Sequence, residues 1–284
     1  MNTLAAYLCF NGEILPSSSF SLSPENRAFR YGDAVFETIR CFGNRPMFLE
    51  LHYNRLVRAM KTMQMDTSCI PFPDVLEKRI ESLINRNRFF VSSRIRLTVF
   101  RNEGGLYTPA THQCSYIIEA SALNESSYQL NEKGMIAGIY HDMAKSKNVL
   151  SQFKTANALI SVMAGLYKIQ NNLGECLIIN TDGKIVEAIS SNLFWYRNEI
   201  LYTPSVSAGC VDGVMKNIVM DMAQKLNLKV LETQGVDEHV LMTSDEIFVT
   251  NAIQGIQWIV GMGDKRYYNQ KAKQLTHSLN SLIN

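Results

Sequence analysis

Two side chains in the stretch from Gln152 to Pro204 are of types that covalent and acid–base chemistry uses: the amine of Lys154 and the carboxylate of Glu187. Lys154 stands in Gln152-Phe153-Lys154-Thr155-Ala156-Asn157, ahead of an apolar run that reads as a helix. A catalytic amine needs an apolar or cationic setting that lowers its pKa. Phe153 and the Ala/Leu-rich residues that follow permit such a setting, yet Lys154 is one of 28 basic residues, and a basic residue is ordinarily a surface charge. Glu187 lies inside the apolar run Ile185-Val186-Glu187-Ala188-Ile189 and precedes a polar Ser190-Ser191-Asn192 turn. On a half-buried strand it would be solvated; held inside, it would suit a cationic ring nitrogen. The residues alone leave both readings open.

These two side chains need elements to hold them. Glu175 to Asn180 is an apolar strand, Thr181-Asp182-Gly183 a tight turn, Lys184 to Ile189 the returning strand, and Leu193 to Tyr196 another. Upstream, Asn11-Gly12 marks a short hairpin, and Ala34 to Arg40, Arg94 to Phe100 and Ser115 to Ala120 read as strands. Leu51, Leu56, Met60 and Met63 have helical spacing, and a second helix is expected over Phe72 to Arg86. Polarity peaks at Asn124-Glu125-Ser126-Ser127. That peak predicts a small N-terminal α+β domain over residues 1–121, a linker over 122–130, and a larger C-terminal α+β domain over 131–284 carrying Lys154. A strand over Gly134 to Tyr140, a helix after Gly213, strands over Lys229 to Glu232, Glu246 to Thr250 and Ile256 to Val260, and a final helix complete the pattern. The fold class is α+β in two domains, with a cleft expected between them.

Composition narrows the function classes. A net charge of +2 over 284 residues supplies no basic field for nucleic acid. The six cysteines are scattered without a C-x-x-C pair, which argues for reduced thiols rather than a disulfide frame or zinc site. No apolar run reaches the roughly 20 residues of a spanning helix, and Met1-Asn2-Thr3-Leu4-Ala5 carries no basic leader region. A cytoplasmic protein without membrane or nucleic-acid partners is the expectation. His52, His112, His141, His239 and His277 show no metal-ligand spacing, and no G-x-S-x-G, Walker or G-x-G-x-x-G motif occurs.

Five blocks in order then carry a resemblance: Tyr31-Gly32-Asp33-Ala34-Val35-Phe36-Glu37-Thr38, His52-Tyr53-Asn54-Arg55-Leu56, Lys154-Thr155-Ala156-Asn157, Glu187 to Phe194, and Gly213-Val214-Met215-Lys216. Together they resemble the class IV aminotransferases, the pyridoxal-phosphate enzymes of fold type IV with the D-amino-acid aminotransferase-like architecture. That resemblance implies pyridoxal 5'-phosphate as cofactor and no metal. It implies that Lys154 carries the cofactor and shuttles the substrate proton, and that Glu187 keeps the pyridine nitrogen protonated. It further implies that Arg55 and the backbone N–H groups of Val214 and Met215 hold the phosphate. Asn251-Ala252 matches a second phosphate loop, with Ala252 where relatives usually carry a hydroxyl, and Ser191 and Asn192 look like supports near the ring. Relatives are homodimers, so a partner loop around Gly104 to Tyr107 is expected to roof the site.

Two reactions fit such a set. A 4-amino-4-deoxychorismate lyase, a folate-pathway enzyme, releases pyruvate and leaves 4-aminobenzoate; a branched-chain or D-amino-acid transaminase passes the amine to 2-oxoglutarate. Three features lean toward the lyase: Asn157 three residues after the lysine, the Thr38 hydroxyl poised to assist proton transfer, and Thr250-Asn251-Ala252-Ile253. One departs from it, since Leu106 and then Tyr107 stand where lyases and D-amino-acid enzymes usually carry an arginine. A dicarboxylate needs that charge, and Arg96 or Arg101 is its expected source, with Tyr31 and Tyr107 as further substrate contacts. A relative that kept the fold and lost turnover is the third possibility.

Overall fold

A computed structural model describes residues 5–283, so the first four residues of the leader reading lie outside it. The chain forms two compact units, one taking in the residues up to Ser126 together with Phe153–Asn157, the other Ser127–Gln152 and the residues from Ala158 onward. The Lys154 segment, expected in the C-terminal domain, thus belongs to the first unit.

The first unit is an antiparallel sheet covered by helices. Its elements are β1 (Tyr7–Phe10), β2 (Glu13–Pro16), α1 (Arg27–Tyr31), β3 (Ala34–Phe42), β4 (Arg45–Pro46), α2 (Leu49–Thr62), α3 (Pro73–Asn87), β5 (Ser92–Arg101) and β6 (Cys114–Leu123), with strand order β2-β1-β6-β5-β3-β4. Asn11 and Gly12 both have positive φ, which matches the right-handed twist of a two-residue hairpin. Odd-numbered β3 residues Val35 and Ile39 join Leu56, Met60, Leu76 and Ile80 of α2 and α3 in the main core. β4 pairs only with Cys41 and Phe42, so the start of β3 has an edge to fill. Residues 154–156 fill it: Phe36 N donates to Lys154 O at 2.8 Å and Ala156 N to Ala34 O at 2.9 Å. Backbone pairing is the reason this segment leaves its sequence neighbours.

The second unit contains β7 (Met135–Lys145), α4 (Leu159–Gln170), β8 (Glu175–Asn180), β9 (Ile185–Ala188), β10 (Asn192–Arg197), β11 (Ile200–Pro204) and α5 (Val214–Lys225). β12 (Lys229–Thr233), α6 (Glu238–Met242), β13 (Glu246–Asn251), β14 (Gly255–Met262), β15 (Lys265–Arg266) and α7 (Gln270–Ser281) follow. The sheet runs β12-β11-β10-β13-β14-β7-β8-β9, and β9 also pairs with β10, which closes six strands into a ring. Leu177, Leu193, Trp195, Val249 and Ile259 belong to its core. Tyr128 is fully buried and anchors the start of the unit, its N–H donating to Asn280 Oδ1 and its hydroxyl to Ala252 O.

Candidate active site

The pairing of residues 154–156 with β3 decides where the Lys154 side chain goes. Val35 bridges Thr155 antiparallel, so Lys154 stands opposite Phe36 and shares its face, because side chains alternate along a strand. On that face Phe36 is paired with Thr98 and Thr38 with Arg96 of β5. The result is a constellation of two cations on one ring: Lys154 Nζ lies 5.0 Å and Arg96 Cζ 3.8 Å from the Phe36 centroid. Arg96 also comes within 4.0 Å of Glu119 and keeps a third of its side chain exposed. Thr38 is partly exposed beside them.

The opposite face of β3 carries Glu37, which is 2% exposed. Arg55 of α2 donates to it through Nε at 2.8 Å and Nη2 at 2.5 Å, and His52 Nδ1 lies 2.7 Å from Oε2. Burial alone would raise the Glu37 pKa; the Arg55 charge and the His52 and Arg55 hydrogen bonds outweigh it and bring it down to about 2. Burial lowers the His52 pKa against the pull of Glu37, so the ring is neutral and donates from Nδ1. Arg55 is therefore a buried, braced guanidinium rather than an exposed helix charge. His52 and Glu37 were legible only as neighbours in the Phe36-Glu37-Thr38 and His52-Tyr53-Asn54-Arg55 blocks.

Tyr31, Arg101 and Tyr107 line a different cavity of about 240 Å³ in the same unit, with Arg27, Asp33 and Asn157. Arg101, expected beside Arg96 as a source of charge for a substrate, is committed elsewhere: it donates to Asp33 Oδ2 at 2.9 Å and to the carbonyls of Gln64 and Met63. Arg27 shares Asp33 Oδ2 at 2.8 Å and donates to the carbonyls of Gly104 and Leu106, which fixes the loop. Leu106 is left 72% and Tyr107 89% exposed. Gly32, at φ +65°, meets the Asn157 amide so closely that a Cβ would lie 2.8 Å from Oδ1.

In the second unit the remaining residues converge. Glu187 pairs with Asn192 and Asn192 with Thr250, a row across β9, β10 and β13. Glu187 is 8% exposed and both its oxygens are engaged: Lys145 Nζ at 2.5 Å from Oε1 and Val211 N–H at 2.8 Å from Oε2. The solvated-strand reading is thereby excluded. Asn192 Nδ2 donates to Val211 O at 2.8 Å, and its Oδ1 packs on Gly213, where a Cβ would lie 1.8 Å away. Gly213 is the N-cap of α5 and contributes no side-chain cap, while the Val214 and Met215 side chains turn into the core. What α5 offers at this end is therefore its first backbone N–H groups, which have no intrahelical partners. Asn251 Nδ2 donates to Ser191 Oγ at 2.9 Å, and Asn251 Oδ1 accepts from the N–H groups of Ile253 and Gln254. The Ala252 carbonyl accepts from the Tyr128 hydroxyl. The Thr250 hydroxyl is buried without a hydrogen-bond partner among the described residues. Lys145 and Val211 escaped the sequence reading, and Thr250 entered it only within the Thr250-Asn251-Ala252-Ile253 loop, because neighbours that come together only on folding leave no spacing signal.

Among the described residues there is no cluster of His, Cys, Asp and Glu suited to a metal, and no helix is long and apolar enough to cross a membrane.

Comparison with known proteins bears on this arrangement. The model of the amino-transferase class IV family matches residues 34–261. An aminodeoxychorismate lyase of Bacillus subtilis is 26% identical over 266 residues, covering 93% of this chain and 89% of that protein. A putative branched-chain-amino-acid aminotransferase of Methanocaldococcus jannaschii is 26% identical over 272 residues, covering 95% and 92%. Among solved structures, a branched-chain aminotransferase of Thermoproteus uzoniensis crystallised with norvaline superposes with a TM-score of 0.87 at 21% identity, over 98% of this chain and 95% of that one. The fold is that of the fold type IV pyridoxal-phosphate enzymes. The chain belongs to the class IV aminotransferase family and is a pyridoxal-phosphate-dependent enzyme.

Proposed function

We propose that this enzyme is a 4-amino-4-deoxychorismate lyase, converting its substrate to 4-aminobenzoate and pyruvate. The observation that carries the reading is the Phe36 ring with Lys154 Nζ at 5.0 Å and Arg96 at 3.8 Å: an amine and a one-third-exposed guanidinium on one strand face, with Thr38 paired to Arg96. A substrate bearing a carboxylate as well as an amine suits that arrangement, the carboxylate meeting Arg96 and the amine the Lys154 side.

The residues present fit the cofactor by their chemistry. In the second unit the uncapped N-terminus of α5, the buried Thr250 hydroxyl and the Ser191–Asn251 pair suit phosphate oxygens, and Glu187 suits a protonated ring nitrogen. When bound, pyridoxal phosphate supplies a sink for the electron pair left on carbon after proton removal. Lys154 would hold the cofactor through its amine and would take the proton from the carbon bearing the substrate amine. Arg96 pairs with a substrate carboxylate and orients the carbon toward Lys154. Thr38 relays a proton to the departing pyruvate. Asn192, held by Val211 O and packed on Gly213, keeps the α5 terminus in register with Glu187.

A transaminase acting on branched-chain or D-amino acids is the second reading. Leu106 and Tyr107 favour it by presenting an apolar loop tip where an arginine would serve a dicarboxylate, and Arg101 is already taken up by Asp33. We further infer a cytoplasmic homodimer. The six free cysteines support a reducing compartment, and the loop pinned by Arg27 supports a role at a partner's site. The deciding experiment incubates the enzyme with aminodeoxychorismate and, separately, with branched-chain and D-amino acids plus 2-oxoglutarate. Pyruvate with 4-aminobenzoate is expected; glutamate instead would replace the lyase with the transaminase, and neither product would leave a fold without turnover.

A further inference from the structure

Glu187 has a neighbour that the family resemblance did not assign. Lys145 ends β7, where the register slips between Tyr140, paired with Ile178, and Lys145, paired with Asn180. Glu187 is paired with Ile178 on the other edge of β8. Ile178 and Asn180 are two residues apart and share a face, so Lys145 and Glu187 share it too. Their strands are two spacings apart, about 10 Å, and the long lysine arm closes the gap to 2.5 Å between Nζ and Oε1. Both side chains are only about one-tenth exposed, 14% and 10%.

We propose that Lys145 is a positioning residue for Glu187 that tunes how strongly this carboxylate favours positive charge on the bound cofactor. The proposal rests on the assignment of Glu187 to the ring nitrogen. Two donors fix the carboxylate plane, Lys145 on Oε1 and the Val211 N–H on Oε2. A carboxylate oxygen has two acceptor sites, so each keeps capacity for a further donor. The ammonium does more than orient. It offsets part of the carboxylate charge that a cationic ring would otherwise feel in full, at a depth where screening by water is weak.

A second ion pair acts on the same buried thiol, Cys210. Lys216 of α5 is 1% exposed and donates to Glu232 of β12 at 2.6 Å. Both pairs act on the Cys210 thiol, pushed up to about 11 by burial, with Lys216 and Lys145 lowering it and Glu187 and Glu232 raising it. Lys216 and Glu232 offset one another, which leaves Lys145 to set the balance at Glu187.

The test titrates the visible absorbance of the bound cofactor in holoenzyme against pH. Lys145→Met removes a positive charge, so the cofactor should keep its proton to higher pH, with the midpoint rising by about one unit, a tenfold gain in proton affinity. Lys145→Gln, which retains a hydrogen-bond donor and also lacks the charge, should move it the same way and serves if the Met variant fails to hold cofactor. Lys145→Arg should leave the midpoint near wild type. Glu187→Gln removes the negative charge and should lower the midpoint. A purely structural ion pair would change thermal stability and leave the midpoint of folded variants unmoved. An unmoved midpoint in Lys145→Met and Lys145→Gln, with Glu187→Gln shifted, overturns the proposal alone. Unmoved midpoints in all three overturn it together with the assignment of Glu187 to the ring.

Discussion

The proposed role of Arg96 in holding a substrate carboxylate rests on one guanidinium. Its ring contact with Phe36 and its distant partner Glu119 at 4.0 Å hold it in place without saturating its donors, unlike Arg101. A charged hydrogen bond contributes about 1.5–3 kcal/mol, roughly 10- to 100-fold in binding. Arg96→Leu is therefore expected to raise KM by that factor for a carboxylate-bearing substrate while Arg101→Leu mainly lowers the melting temperature; steady-state kinetics and calorimetry separate the two. Lys154→Met should bind cofactor without forming a borohydride-reducible chromophore and lose about 10²–10⁴-fold or more in rate, as befits loss of the proton carrier. Glu37 gives a prediction in pH. Its folded pKa of about 2 lies below the ordinary 4.5, so the stability it contributes is complete above 4.5 and is lost as pH falls toward 2. Urea midpoints measured between pH 5 and pH 2 should fall across that window in the wild type. They should fall less in Glu37→Gln, which starts about 3–5 kcal/mol lower because Arg55 is left buried without its counter-charge. The sequence made Lys154, Glu187 and Arg55 legible through their motif blocks. It could not reveal Glu37 as the brace of Arg55 or Lys145 as the partner of Glu187, since both contacts depend on which strand faces align after folding.

At the level of elements, alternation and helical spacing carried most of the reading: β3, β5, β6, α2, α3 and α5 follow from them, because each has one apolar face to bury. The placement of residues 154–156 did not follow. Three residues are too few for a period, and their partner is an edge left open by a short β4. That edge pairing is what aims Lys154 at the Phe36 face, so the most informative contact in the first unit was the least visible in the chain. In the second unit the comparable device is Gly213. A side chain there would need the space of Asn192 Oδ1, 1.8 Å away, and moving Asn192 breaks its bond to Val211, whose N–H holds Glu187. Gly213→Ala is expected to cost about 1–3 kcal/mol of stability, the loss of a buried hydrogen bond, and to weaken cofactor binding at least tenfold. Equilibrium dialysis with pyridoxal phosphate reads the second effect, and Gly165→Ala on α4, where a Cβ meets nothing within 4 Å, is the control that should leave cofactor binding unchanged and raise stability by about 0.5–1 kcal/mol.

For the whole molecule, two exposed apolar features support the proposed homodimer. α4 presents Leu159, Val162, Met163, Leu166 and Ile169 to solvent while its other side packs on Tyr140, Cys176 and Ile178. A helix apolar all round belongs in an interior, and a self-complementary stripe suits a twofold pair. The second feature is the loop tip of Leu106 and Tyr107, rigidly held from beneath by Arg27 yet exposed. Sedimentation should find a dimer that Leu166→Glu weakens. Whether the loop serves its own site or its partner's is answered by mixing two inactive chains. One carries Lys154→Met with an intact loop, the other an intact Lys154 with Leu106→Gly and Tyr107→Gly. If the loop acts across the twofold, each mixed dimer owns one complete site, lysine from one chain and loop from the other. Random reassortment makes half the dimers mixed, so activity should return to about a quarter of wild type. If the loop roofs the site of its own chain, no combination assembles a complete site and the mixture stays as inactive as its parts.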